Sequence, residues 1–387
     1  MKPSNYTYFI LLSFIPTLLC QEIDNIIDME NSEDSRMPEI DRWPYDVEFH
    51  SNRKISRKEQ MIRDFLLNKN HSHIATICNN KSGTCYEIVD EYMIGPRSNR
   101  LLASRTLFPI NEEEEGIKLS MTYLEAPIPL TWDDINSRNW TIKKNYIELY
   151  YAKNMLVLPF ITGTFVPNSN QVYQELVIGG AGAIIPNFIS TLDIAKVNVT
   201  LIDIDPIMKR IAMDYFAYEE TPFQRYLIAD GLDYVSQAHK NGSKYDVILI
   251  DVCYNDESEY IVCPTAGFLE PSFIGVLKDI LSSNGTLIVN LIYNDTNGAE
   301  NDKILKRFTD IFPNCYQEFN AFDKETIVYC TLDKGNNLQD NRNLHLQRYI
   351  NARPFLAGCY LENIEEYYQS VKEKYQSDSN NTGKNEL

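Results

Sequence analysis

Neither a Cys-X-X-Cys motif nor a His/Cys cluster with zinc spacing occurs in the 387 residues, so no metal site is expected. Positive charge is also in deficit. Lys and Arg number 36 against 54 Asp and Glu, a net charge of −18, and such a surface repels a phosphate backbone over most of its area. No nucleic-acid partner is expected. The same acidity suits a soluble lumenal surface and is compatible with cationic substrates such as polyamines or lysine-rich tails. After residue 20 no apolar run is long enough to cross a bilayer, so no membrane span is expected once the first segment is removed.

What is present begins with the core. A hydrophobic fraction of 44%, with 25 Tyr and 17 Phe, supports one large or two ordinary domains and excludes a disordered protein. Residues 1–20 place Lys2 before the apolar run Tyr8–Cys20, with an acidic stretch after it. That is the pattern of a signal peptide cleaved after Cys20. The last four residues, Lys384-Asn-Glu-Leu387, resemble the Lys-Asp-Glu-Leu retrieval signal. Such a signal is an address read by a receptor inside the secretory pathway. Together the two ends predict residence in the endoplasmic-reticulum lumen with the retrieval receptor as a partner; secretion is the second expectation.

Eight Asn-X-Ser/Thr sequons follow the signal, at Asn70, Asn80, Asn139, Asn198, Asn241, Asn284, Asn294 and Asn380. Asn241 and Asn284, each before Gly, sit in expected turns and are the better glycan acceptors, whereas Asn198 opens an expected strand. Cleavage leaves seven cysteines, an odd number, so in an oxidising lumen at least one stays unpaired or bridges to another chain. Cys78 and Cys85 flank a turn-rich loop. Cys315 and Cys330 are equidistant from Phe322–Glu325 and would face each other across a hairpin. Each pair is a candidate disulfide, the alternative being buried thiols.

Residues 21–60 are acidic, without sustained periodicity, and read as an extended leader. Residues 61–165 read as a small β-rich domain, with a helix around Gln60–Leu67, strands at Thr84–Val89, Arg100–Leu107 and Lys118–Leu124, and a helix near Tyr146–Met155. From Gln174 apolar strands alternate with amphipathic helices, which predicts a doubly wound α/β domain over 166–335. Its seven strands are placed at Glu175–Ile178, Asn198–Ile204, Gln224–Ile228, Asp246–Ile250, Gly285–Leu291, Asn314–Glu318 and Thr326–Leu332. Residues 336–387 form a tail with a helical stretch at Leu361–Gln376.

The chemistry begins at Gly179, Gly180 and Gly182. A glycine turn between the first strand and helix lets the backbone approach a cofactor and aims helix N–H groups at it. Asp203 ends the second strand, where a carboxylate can accept both hydroxyls of a ribose. Asp205 before Pro206 reads as a helix N-cap over Ile207–Phe216. Asp230 and Gly231 follow the third strand, where an Asp can read an adenine amino group; the alternative is a turn Asp. Asp251 ends the fourth strand at the edge where open α/β sheets bind ligands, and an acid there can hold a substrate amine. Asn290 ends the fifth strand on the same cleft, as a substrate contact or a strand-end turn residue.

These segments carry a resemblance. Ile185-Pro-Asn-Phe188, Asp203-Ile-Asp-Pro-Ile-Met208, Ile228-Ala-Asp-Gly-Leu-Asp-Tyr234, Asp251-Val-Cys253, Cys263-Pro264 and Phe268-Leu-Glu-Pro-Ser-Phe273 stand in family order. Residues 170–335 resemble the spermidine-synthase-like branch of the S-adenosylmethionine-dependent methyltransferases. Within it they resemble the C-terminal domain of the elongation factor 1-alpha lysine and N-terminal methyltransferase. The resemblance implies a seven-stranded Rossmann-like sheet and S-adenosylmethionine or its decarboxylated form as cofactor. It places Gly179, Gly180, Gly182, Asp203, Asp230 and Gly231 on that cofactor, Asp251 as the catalytic-cleft acid, Asn290 beside the substrate, and a homodimer among the expectations.

Two departures stand out. Ala181 and Ala183 occupy glycine-type positions, and Gly182 replaces an acid common in spermidine synthases. Three readings follow: a lumenal methyltransferase acting on an amine or other nucleophile of a protein or small molecule, a polyamine aminopropyltransferase, and a non-catalytic protein that kept the fold.

Overall fold

The computed structural model describes residues 54–95, 100–110, 118–254, 259–293, 298–320, 325–333, 342–352 and 355–356. The signal segment, the leader up to residue 53, Leu361–Gln376 and Lys384–Leu387 lie outside the described residues, as do Asn294, Asn380 and Cys359.

Helix α1 (Arg57–Lys69) starts where the Ser56 hydroxyl accepts the Glu59 N–H at 3.1 Å. It buries Ile62 and Leu66 against an antiparallel sheet of β1 (His71–Cys78), β2 (Cys85–Ile94), β3 (Leu101–Pro109), β4 (Ser120–Glu125) and β5 (Thr141–Ile142), paired in sequence order. Strand β1 was not among the expected strands. A register shift between His73 and Ala75 breaks its alternation, so the period that marks a strand is absent from its sequence. Helix α2 (Tyr150–Ile161) buries every residue except Tyr150, which is why no amphipathic stripe delimits it.

The second sheet contains β6 (Val172–Ile178), β7 (Lys196–Asp203), β8 (Gln224–Ile228), β9 (Tyr245–Ile250), β11 (Leu281–Tyr293), β12 (Asn314–Asn320) and β13 (Glu325–Thr331) in the order β12-β13-β11-β9-β6-β7-β8. Strands β11, β9, β6, β7 and β8 are parallel; β13 and β12 close the sheet as an antiparallel hairpin. This is the expected α/β architecture behind a β-rich first sheet. A short strand β10 (Ile261–Cys263), not foreseen, pairs with the end of β11.

Side chains of β6 alternate between two cores. Tyr173 and Val177 join Val199, Leu201 and α2 on one face, while Leu176 and Ile178 join Ile202, Ile248 and Ile250 on the other. Helices α3 (Ile184–Ile189), α4 (Pro206–Tyr215), α5 (Gly231–Lys240), α6 (Pro271–Ile280), α7 (Gly298–Thr309) and α8 (Arg342–Ala352) complete the described α-helices. From β6 the chain winds outward to β7 and β8 and then returns to β9 on the other side. The strand order therefore reverses between β6 and β9, the place where such sheets open a crevice.

A buried arginine, ion-paired within the first sheet, ties that sheet to helix α4. Arg105 of β3 donates Nε and Nη2 to Asp90 at 2.8 Å each, and Nη1 to the Tyr215 carbonyl at the end of α4 at 2.9 Å. With both charges fully buried, loss of either partner strands the other, at a cost of about 3–5 kcal/mol.

Three disulfides are present among the described residues. Cys78–Cys85 and Cys315–Cys330 join the expected pairs, each as register partners on neighbouring strands. The third, Cys253–Cys263, was not expected, because no sequence spacing marks it; strand β10 brings Cys263 back beside Cys253.

Candidate active site

A cavity of about 320 Å³ opens at the carboxyl ends of β6, β7, β8 and β9, a size that suits a small organic ligand. Gly179, Gly180, Asp203, Asp230, Gly231, Asp251 and Asn290 all line it. Gly182 does not. Its N–H donates to Ser120 Oγ at 2.9 Å, so it faces the first sheet rather than the cavity.

Gly179 is required by geometry. It sits at φ +85°, and a Cβ there would lie 2.1 Å from the Asp251 carbonyl oxygen. A Cβ on Gly231 would meet Ile178 at 2.5 Å. The two alanines hold glycine-like backbone, φ +37° at Ala181 and +58° at Ala183, at a cost of roughly 1–2 kcal/mol each.

The turn differs from expectation in what its N–H groups do. Gly180 and Ala181 donate to Asp203 Oδ2 at 3.1 and 3.3 Å, Gly182 to Ser120, and Ala183 to the Gly180 carbonyl. Gly179 donates to the Ile202 carbonyl. None is aimed at a cofactor. The turn's role is close approach.

Asp203 thus organises the turn, and its other oxygen accepts the Asp205 N–H at 2.9 Å. Burial pushes its carboxyl above the ordinary range, and these backbone N–H groups oppose the rise. Asp205 caps α4 by accepting the Ile207 N–H at 3.0 Å, as the Asp-Pro pair predicts. It also accepts Asn79 Nδ2 at 2.9 Å and the Tyr86 hydroxyl at 3.1 Å, so the hairpin closed by Cys78–Cys85 docks on the cavity rim. Asp230 caps α5 through Oδ1, from Leu232 at 2.8 Å and Asp233 at 3.2 Å. Its structural role is that of the turn Asp weighed from sequence, held at the cavity wall.

Asp251 and Asn290 meet at the inner end. Asn290 Nδ2 donates to Asp251 Oδ1 at 2.9 Å, and the Tyr151 hydroxyl also hydrogen-bonds this carboxylate. Burial pushes the Asp251 pKa up to about 6 against these two donors. Burial, Asp251 and then Glu325 hold the Tyr151 hydroxyl protonated, with its pKa well above the phenolic range. The buried Asn290 Oδ1 has no hydrogen-bond partner in the protein.

Sequence reasoning missed Tyr151, Glu325, Tyr86 and Lys118, all of which line the cavity. Tyr151 lies in an apolar helix and Glu325 beside a hairpin turn, so local pattern marks neither as functional.

No family model matches the chain. The human eEF1A lysine and N-terminal methyltransferase is 31% identical over 200 residues, which are 50% of this chain and 28% of that protein. The chain therefore spans less than a third of that relative's length. The polyamine aminopropyltransferase of Vibrio vulnificus is 31% identical over 115 residues, 30% of this chain and 36% of that enzyme. The chain is thus similar, over half of its length or less, to a methyltransferase and an aminopropyltransferase of the spermidine-synthase-like kind. A crystal structure of human methyltransferase-like protein 13 in complex with SAH is 27% identical, with a TM-score of 0.44, covering 52% of this chain and 89% of that one.

The relatives indicate a cofactor of the S-adenosyl type, and the residues here fit such a group on two observations. The cavity of about 320 Å³ has the Gly179–Gly180 backbone and Gly231 directly on its wall, and Asn290 holds a buried acceptor toward which a ligand donor can turn. Ile204, Met208, Leu232 and Phe268 supply apolar walls between the acids.

Proposed function

We propose that this chain is an S-adenosylmethionine-dependent methyltransferase of the secretory lumen whose acceptor is an amine. The observation that carries the reading is the inner end of the cavity. There Asp251, with its pKa near 6, and the unpartnered Asn290 Oδ1 offer two acceptors to a ligand bearing N–H donors.

When bound, the cofactor supplies an electrophilic methyl carbon. The chain supplies position and a proton acceptor. Asp203, Asp230 and the Gly179–Gly180 backbone would hold the adenosyl part, with the apolar walls excluding water. Asp251 holds the amine through its N–H, orients the nitrogen lone pair, and takes up the proton that the nitrogen sheds on methylation. Asn290 and Tyr151 fix the carboxylate's direction.

The lumenal setting is supported by three disulfides in the described residues, which persist in oxidising compartments, and by the two sequence signals at the chain ends. A second reading, a non-catalytic protein of the same fold, is favoured by the strained Ala181 and Ala183. Calorimetric titration of the mature protein separates them. The methyltransferase reading expects S-adenosylmethionine and S-adenosylhomocysteine to bind, with Asp203→Ala weakening both while the fold is retained. Absence of binding by either ligand would leave the non-catalytic reading.

A further inference from the structure

The cavity is lined by five carboxylates, Asp203, Asp205, Asp230, Asp251 and Glu325, and among its described lining residues by a single basic side chain, Lys118. A lone cation in an acidic cleft of an acidic protein needs a chemical reason. Lys118 precedes β4, whose first residue, Ser120, accepts the Gly182 N–H at 2.9 Å. The chain is already in register before Ser120, because the Leu119 N–H donates to the Leu107 carbonyl at 2.9 Å. Two residues along an extended backbone cover about 7 Å, so Lys118 stands close to the Gly179–Ala183 turn, well within reach of its four-carbon stem.

That turn cannot receive an anion by itself. It carries no ionisable side chain, and all five of its N–H groups are committed: to Ile202, to Asp203 twice, to Ser120 and to Gly180. The usual device of this fold, backbone N–H groups facing a negatively charged ligand, is used up here. An anionic group bound at this end has the Lys118 ammonium as its ionic donor.

S-adenosylmethionine carries a sulfonium, an ammonium and a carboxylate, whereas the decarboxylated form keeps only the two cations. The acids of the cleft suit the cations of both forms. Of the two forms, only S-adenosylmethionine brings a carboxylate that Lys118 can pair with. Resting on the S-adenosyl reading above, we infer that Lys118 is the counter-ion of the cofactor's α-carboxylate and makes this site select S-adenosylmethionine over its decarboxylated form. This places the reaction on the methyl-transfer side and against aminopropyl transfer.

The test is a calorimetric series on the mature protein with S-adenosylmethionine, decarboxylated S-adenosylmethionine and methylthioadenosine, which has neither the aliphatic ammonium nor the carboxylate. The wild type should prefer S-adenosylmethionine to the decarboxylated form by about ten-fold, the worth of one charge-assisted pair. Lys118→Met should erase that preference and leave methylthioadenosine affinity unchanged, and Lys118→Arg should restore it. Lys118 is exposed, so the unfolding temperature serves as the control for fold. The assignment is overturned by a wild-type preference for the decarboxylated form, by equal affinity for the two forms, or by Lys118→Met weakening methylthioadenosine as much as S-adenosylmethionine. If none of the three ligands binds, the S-adenosyl reading falls and this assignment with it; if methylthioadenosine binds without a Lys118-dependent preference, the assignment falls alone.

Discussion

Asn290 holds Asp251 with one end of its amide and leaves the other end, Oδ1, buried without a partner. The amide is thus half satisfied. A buried acceptor left in this way costs about 1–3 kcal/mol, which a ligand N–H recovers on binding.

Asp251 should therefore govern a pH limb. With a pKa of about 6 its carboxylate form prevails above that pH, so turnover should rise as pH climbs through 6 and then level, apart from the amine's own ionisation. Following S-adenosylhomocysteine release between pH 5 and 8 with an amine acceptor would show the limb. In Asp251→Asn it should vanish, with kcat/KM lower by roughly two orders of magnitude or more. A limb near pH 6 that survives in the variant would assign it to another group.

Glu175 should make the fold weaker as pH rises. It is buried in β6 with Oε2 unpartnered, and burial pushes its pKa up to about 8. An unfolded glutamate ionises near 4.5, so between about 4.5 and 8 the unfolded chain has released a proton that the folded chain retains. Stability then falls with pH across that window, by about 3 kcal/mol at pH 7. Glu175→Gln should flatten the pH dependence of urea unfolding between pH 5.5 and 7.5; an unchanged slope would refute the assignment.

Ala181 and Ala183 should respond differently to glycine. Both have positive φ, but Ala183 is wholly buried and its methyl belongs to the core, whereas Ala181 is partly buried. Ala181→Gly should stabilise the protein by about 0.5–1 kcal/mol, and Ala183→Gly should come out near neutral because strain relief is offset by lost packing. Denaturant midpoints would measure both. A loss of stability in Ala181→Gly would mean that its backbone is not strained.

The Cys315–Cys330 bond spans 15 residues, a loop whose closure is worth about 3 kcal/mol in the unfolded-chain account. The double variant Cys315→Ala/Cys330→Ala should lose about that much, read by urea unfolding under oxidising conditions. No loss would point to thiols that were already unpaired.

Much of the second sheet was legible because its strands are buried on both faces and its turns follow β6, β7, β8 and β9 with Gly179, Asp203, Asp230 and Asp251 at their ends. What was illegible came from long-range geometry. No local pattern says that the Gly180 and Ala181 N–H groups turn inward to Asp203, that Gly182 leans on Ser120 62 residues earlier, or that Tyr151 reaches Asp251 from a helix of the preceding segment. The bulge in β1 and the short β10 hid for the opposite reason: their sequences lack the alternation on which strand reading depends.

Asn198 gives one of the sequons a different meaning. Its amide donates to Gln174 Oε1 at 2.9 Å between β6 and β7, and Thr200, which completes the sequon, is buried and accepts Arg225 Nε. Once the sheet has formed, a glycosylating enzyme cannot grip this tripeptide as an extended strand. A glycan found on Asn198 would be a timestamp, recording that the chain met the enzyme before β6 and β7 met each other.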